Sequence, residues 1–207
     1  NSGDASDLFV FGRSGTTLTY LGGVQTSGWG KICRCIFTKS GDKLFVGNYT
    51  DNEIYIYTID SSSISLTKTI TTSGHTTAGQ LGINETGTQM VYLKDSTNFS
   101  VRTTSDNWAN STETTKTYPS SREFNHVGGA SSNQNNLYGK WLDMSPNGNT
   151  MMVSTITGDN KRGRIGVYDI SDLNSITEVK YLDAEAGTYN DDFKVGNNVV
   201  CKNTHYG

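Results

Sequence analysis

Apolar residues in this chain come in short runs cut by polar turns, and three stretches share one layout. Residues 39–46, 85–92 and 146–153 each carry a turn glycine (Gly41, Gly87, Gly148) and then a run ending Leu44-Phe45-Val46, Met90-Val91-Tyr92 or Met151-Met152-Val153. The glycine supplies the positive φ of a tight hairpin. An unbroken apolar run predicts a strand buried on both faces. A second, alternating strand follows each of these and once precedes the first, at residues 8–11, 54–57, 99–102 and 165–168. Outer strands are predicted at 17–21, 63–67 and 176–182, with polar turns such as 60–63 and 169–172 between. This register places Val10, Val46, Ile56, Val91, Val101, Val153 and Val167 inside, because a one-residue slip turns the other face inward.

A repeat in the chain sets the architecture. Val127-Gly128 followed by Tyr138-Gly139 recurs as Val195-Gly196 followed by Tyr206-Gly207, and the turn glycines are 46 and 61 residues apart. Propeller blades run about 40–50 residues, and the longer interval needs only loop insertions. Uneven spacing does not suit a solenoid, and a sandwich does not repeat one strand order with one turn chemistry. The reading is an all-β chain of β-propeller blades, each a four-stranded antiparallel sheet. One such sheet cannot bury both faces alone, so blades stack about an axis. The units run 1–28 (end of a blade), 29–75, 76–120, 121–190 (with an insertion) and 191–207 (start of the next). That falls short of a closed ring, so the natural polypeptide is expected to be longer.

Composition agrees with many short strands. The 207 residues are 33% hydrophobic, 18% charged and 10% aromatic, with 23 Gly and a net charge of −3. Aromatic content and low net charge exclude a disordered chain, and the charge balance argues against nucleic acid as partner. No stretch reaches the length of a membrane span. The basic cluster Lys161-Arg162-Gly163-Arg164 reads as a solvated hairpin tip. Cys33 and Cys35 would share a strand face in poor disulfide geometry. Together with the distant Cys201 they read as buried free thiols.

With these elements in place, residues 138–154 followed by Gly163-Arg164-Ile165-Gly166-Val167-Tyr168 resemble the FG-GAP (integrin-α-like) propeller repeat. They share its aromatic-Gly pair, its Ser-x-Asn-Gly turn and its Gly-x-Val-x-Val-Tyr-like strand. Residues 41–60 resemble a WD40 or lactonase-type blade equally well. The resemblance implies a propeller and says little about activity. Integrin-like blades often carry a calcium loop. The matching loops here, 47–53 and 157–163, lack the alternating acidic oxygens that calcium requires, so no metal site is carried over.

The search for chemistry finds no catalytic set. His75, His126 and His205 do not pair at metal spacing, and no nucleophile elbow or zinc motif occurs. Gly12-Arg13-Ser14-Gly15 is a hairpin turn rather than a phosphate loop. Asp183 and Glu185 run into a turn, and no cofactor is expected. Asn48, Asn84, Asn98 and Asn110 head N-x-S/T sequons and are glycosylation candidates. Trp108, Trp141, Tyr118, Tyr138 and Tyr189 either line a binding rim or wedge between blades. The primary expectation is a non-catalytic interaction or scaffold module of a larger extracellular, fibre or virion-surface protein, binding a protein or glycan. The alternative is a lactonase-like propeller hydrolase with its site in the central channel.

Overall fold

A computed structural model describes residues 6–26, 32–48, 52–72, 81–94, 98–117, 140–155 and 164–183. Within them the chain forms strands and no helix. The first two strands, β1 (Ser6–Ser14) and β2 (Thr17–Thr26), pair as a two-stranded half-blade. Three four-stranded antiparallel blades follow, each ordered as in sequence. The first comprises β3 (Ile32–Phe37), β4 (Lys43–Asn48), β5 (Glu53–Ile59) and β6 (Ile64–Thr71). The second comprises β7 (Leu81–Ile83), β8 (Gln89–Leu93), β9 (Asn98–Thr103) and β10 (Thr112–Thr117). The third comprises β11 (Lys140–Met144), β12 (Thr150–Thr155), β13 (Arg164–Asp169) and β14 (Thr177–Asp183). Strand β7 lies against both β3 and β11, which marks these three as the inner strands.

The repeated turn joins the inner strand to the second strand in every blade. Gly41, Gly87 and Gly148 have φ of 74°, 66° and 77°, in the left-handed region that glycine enters without strain. The three turns are tied to one another: the amide of Lys39 donates to Glu85 O at 3.1 Å, and that of Glu85 to Pro146 O at 2.8 Å.

The alternation of each strand explains how the blades stack. In the first blade, Leu44, Val46, Tyr55 and Tyr57 pack with Val10 of the half-blade. Phe45, Ile54 and Ile56 face the other way and pack with Met90 and Tyr92 of the second blade. Val91, Leu93, Phe99 and Val101 of that blade then meet Leu142, Met144, Met151 and Val153 of the third. Six of the seven predicted inward positions are buried. The seventh, Val167, is half-buried because it points from the third blade away from the second.

The half-blade is the outer half of the same unit. A register shift follows Val10 in β1, Ile56 in β5 and Val167 in β13, and each is followed by an aromatic residue, Phe11, Tyr57 or Tyr168. A bulge at the same place in three of the four units is a shared feature of the repeat rather than a local accident. It identifies β1 and β2 as third and fourth strands.

The fourth strand expected of the second blade is β10, whose residues Thr-Glu-Thr-Thr-Lys-Thr include nothing apolar. One expectation needs correction. Cys33 and Cys35 do not alternate regularly, because the β3–β4 register skips Cys33, and Cys35 is a free, exposed thiol rather than a buried one. Cys201 lies outside the described residues.

Candidate functional site at the inner strands

Charges inside apolar strands are the first places to look for chemistry, and the inner strands hold two. Arg34 sits on β3 just after the skipped Cys33, so the bulge re-aims its side chain. Asp143 sits on β11 between Leu142 and Met144, both buried. The guanidinium reaches past the second blade to the third. Nη1 donates to Leu142 O at 2.5 Å, and Nη2 lies 3.5 Å from Asp143 Oδ1. The amide of Met144 donates to the same Oδ1 at 3.0 Å. Side-chain exposures of 11% and 6% make this the most buried ion pair between described residues.

Gly82 of β7 makes the approach possible. A Cβ there would stand 2.7 Å from Met144 N and 2.9 Å from the Asp143 Cα, so β11 lies directly on the glycine backbone. Two charges leave water at a cost of several kcal/mol each unless paired and hydrogen-bonded, and this pair is both. Such a pair has two chemical capacities. A guanidinium in a dry site stabilises developing negative charge on a carbonyl oxygen. A carboxylate beside it accepts a proton from water.

Two other clusters are built as turn and blade locks. A cleft of about 510 Å³ between the half-blade and the first blade is lined by Phe11, Arg13, Phe37, Asp42 and Asp60. Both carboxylates in it are committed. Partial burial raises the pKa of Asp42, but hydrogen bonds from Ser40 and Thr38 and the Lys43 ammonium hold it well below the usual carboxylate range. The Ser63 hydroxyl, the Ser62 amide and hydroxyl and the Ser63 amide hold Asp60 at about 2.

In the second blade, Glu113 Oε1 accepts from Tyr92 Oη at 2.7 Å, Ser100 Oγ at 2.8 Å and Lys94 Nζ at 3.3 Å. Arg102 Nη2 binds Oε2 at 2.5 Å. Burial pushes this carboxyl up, yet the Tyr92 and Ser100 hydrogen bonds and the Arg102 charge outweigh it and set the pKa at about 2. A base that weak, beside a serine already donating to it, is not an activated pair.

The residues singled out from sequence scatter. Asn48 and Asn84 are buried, and the Asn84 amide caps its own turn through Thr88 and Gln89. Asn98 is half-buried and accepts from Thr117 Oγ1 at 2.7 Å. Asn110 is exposed, its amide on Asp106 at 2.7 Å. Trp108 is fully buried as a wedge: its Nε1 donates to Gly87 O at 2.8 Å and its ring meets Phe45 edge-on at 5.7 Å. The three histidines, Tyr118, Tyr138, Tyr189, Glu185, Lys161, Arg162 and Gly163 lie outside the described residues, as does the side chain of Trp141. Among the described residues no group of three or more His, Cys, Asp or Glu converges as metal ligands do. Sequence reasoning passed over Arg34 and Asp143. Their signal was a lone charge within Ile32-Cys33-Arg34-Cys35-Ile36 and within Trp141-Leu142-Asp143-Met144.

Comparison with known proteins bears on the fold and on the two functional expectations. No protein-family model and no curated protein matches the chain. Solved structures do. A Lactobacillus plantarum protein is 12% identical at a TM-score of 0.59, with 94% of this chain covering 51% of that one. A putative 6-phosphogluconolactonase from Bacteroides uniformis is 11% identical at 0.59, with 89% covering 50%. A periplasmic gluconolactonase from Pseudomonas aeruginosa is 12% identical at 0.52, with 84% covering 43%. The chain thus spans about half the length of the structures it resembles. They are β-propeller proteins, so the propeller fold stands, while nothing in them singles out the FG-GAP type. The expectation of a non-catalytic extracellular or virion-surface scaffold is corrected: several of the neighbours are named as gluconolactonases or putative 6-phosphogluconolactonases, at about 12% identity, which favours the alternative reading over the scaffold. The scaffold reading rested on a Ser/Thr/Asn/Gly-rich composition, few charges and the lack of a contiguous catalytic motif, and the last is a poor guide where a propeller site draws single residues from separate blades.

Proposed function

We propose that this chain forms part of a propeller hydrolase of the lactonase type, acting on a cyclic ester of a sugar acid. The observation that carries the reading is the near-buried Arg34–Asp143 pair on the inner strands of two non-adjacent blades. The fold likeness to lactonases indicates which substrate class to try first.

In this reading Asp143 takes a proton from a water whose oxygen bonds to the lactone carbonyl carbon. Arg34 holds the oxyanion that forms. Collapse of that intermediate breaks the bond to the ring oxygen, which takes up the proton, and an open-chain hydroxy acid leaves. Removing one charge from such a site costs roughly 10²–10³ in kcat.

The test is acid release from δ- and γ-lactones of aldonic acids, with and without a phosphate group, by the wild-type protein, Asp143→Asn and Arg34→Met. Hydrolysis above the spontaneous rate, lost in both variants while their circular dichroism spectra stay native, is the expected result. Folded wild-type protein that accelerates none of these lactones overturns the proposal. So does a pair of variants that lose stability but hydrolyse normally, which would make the pair a clamp between blades.

A further inference from the structure

One residue sets the repeated turn of the third blade apart from its counterparts. Ser40 and Thr86 precede the turn glycines Gly41 and Gly87, but Asn147 precedes Gly148, and this is the one Asn-Gly pair in the 207-residue chain. An asparagine places its amide carbon where the next backbone nitrogen can close a five-membered ring on it. Glycine, without a Cβ, leaves that nitrogen unhindered. Asn147 is exposed, so water reaches whatever forms there. The closed turn restrains both reacting groups. The Gly148 amide donates to Ser145 O at 2.9 Å, and Asn147 Oδ1 accepts from Ser145 Oγ at 2.7 Å and from the Asn149 amide at 3.1 Å. Ring closure needs Gly148 N stripped of its hydrogen and turned onto Asn147 Cγ, so it proceeds from a local opening of the turn.

We infer that Asn147 is a self-modification site, at which the chain deamidates through a succinimide to a product that cannot restore the tie between the second and third blades. Gly148 N bonds to Asn147 Cγ, the Cγ–Nδ2 bond breaks, and Nδ2 leaves as ammonia with the proton from Gly148 N. Water then opens the ring at either carbonyl. Opening at one gives aspartate at position 147. Opening at the other gives isoaspartate, in which the backbone runs through the side-chain carbonyl and gains a methylene.

The surroundings distinguish the two products. Two acceptors flank the inserted methylene: Pro146 O takes the Glu85 amide at 2.8 Å, and Gly148 O takes Gln89 Nε2 at 3.1 Å. A Cβ on Gly148 would stand 2.4 Å from Gln89 Oε1, so this side of the turn has no slack. Isoaspartate therefore pulls at least one acceptor off the second blade. It also displaces the end of β11, which carries Asp143 and stops at Met144 just before this turn. Aspartate keeps the backbone path, and its carboxylate accepts from Ser145 Oγ and the Asn149 amide as the asparagine oxygen does. The inference does not rest on the hydrolase reading.

Ageing the 207-residue chain in warm, mildly alkaline buffer tests it, with peptide mass mapping and methyl transfer by an isoaspartyl methyltransferase as readouts. The peptide holding Asn147 is expected to gain one mass unit and to become a methyl acceptor before peptides holding Asn107 or Asn174 do. Ser145→Ala, which removes the hydroxyl that holds Asn147 Oδ1, is expected to convert several-fold faster, and Asn147→Gln not to convert. The isoaspartate-bearing fraction should unfold at lower urea concentration than fresh protein, while Asn147→Asp, with the charge but not the methylene, unfolds with the wild type. A native chain that gains no mass at Asn147 over a period in which it converts in urea overturns the inference, because the closed turn is then a complete guard. Conversion without loss of stability overturns the broken tie. Asn147→Asp as unstable as the aged fraction overturns it in favour of charge alone.

Discussion

The first and second blades solve the same problem, holding an outer strand, with different chemistry. In the first, β6 brings Ile64 and Ile70 to the apolar clusters on the two faces of its sheet and pairs with β5 through the shared bulge. In the second, β10 has no apolar residue and pairs with β9 without a bulge. Its Glu113 and Thr115 side chains bind Ser100 and Arg102 instead. The apolar volume that β10 cannot supply comes from the turn before it, where Trp108 folds back under Gly87. An outer strand therefore needs partners on its inner face, and those partners need not be hydrophobic.

The sharpest way to break this contrast is to remove the wedge. Trp108→Ala deletes a fully buried ring and its hydrogen bond and should cost about 3–5 kcal/mol in urea unfolding. Ile70→Ala in the first blade should cost about 2–4 kcal/mol, a simple cavity without a lost donor. A smaller loss for Trp108 than for Ile70 would mean that the second blade is not held by its wedge.

Acid tests the second blade's polar cluster next. The Glu113 carboxyl falls from 4.5 to about 2 in the folded chain. The stability it contributes is therefore present above 4.5 and lost as pH drops from there through about 2. After allowance for partial exposure it amounts to on the order of 2 kcal/mol. Glu113→Gln should flatten the pH dependence of unfolding in that window, and an unchanged slope would remove Glu113 from the account. The repeat core comes third. Val153→Ala and Val46→Ala should each cost about 1–3 kcal/mol, and the half-buried Val167→Ala less than either. The smallest effect belongs to Ser62→Ala in the exposed first-blade turn, within about half a kcal/mol.

The same contrast marks how far the fold was legible beforehand. Strands that bury apolar residues announce themselves, so β4, β5, β8, β9, β12 and β13 follow from the pattern of runs and alternation. The turn glycines locate the hairpins because only that backbone geometry requires them. Strand β10 was invisible, since Thr-Glu-Thr-Thr-Lys-Thr has no hydrophobic period and its partners lie in other strands. The short β7, Leu81-Gly82-Ile83, falls below the length at which a period exists. The candidate site was illegible for a related reason. Arg34 and Asp143 are 109 positions apart, and only stacking of three blades over a glycine puts them together.

The tie between the three repeated turns bears on how this architecture can vary. Glu85 gives its amide to one neighbour and its carbonyl to the other, so the link depends on where the backbone lies and not on the side chain. Adding or deleting a residue in any of these turns would displace a donor or an acceptor in two blades at once. The connections are indeed of equal length, 38–42, 84–88 and 145–149. At the opposite rim the connection between second and third strands runs 49–52 in the first blade but 156–163 in the third. The first turn of each blade is thus fixed in length while the other connections vary, and new recognition loops in descendants of this chain should appear at those other connections.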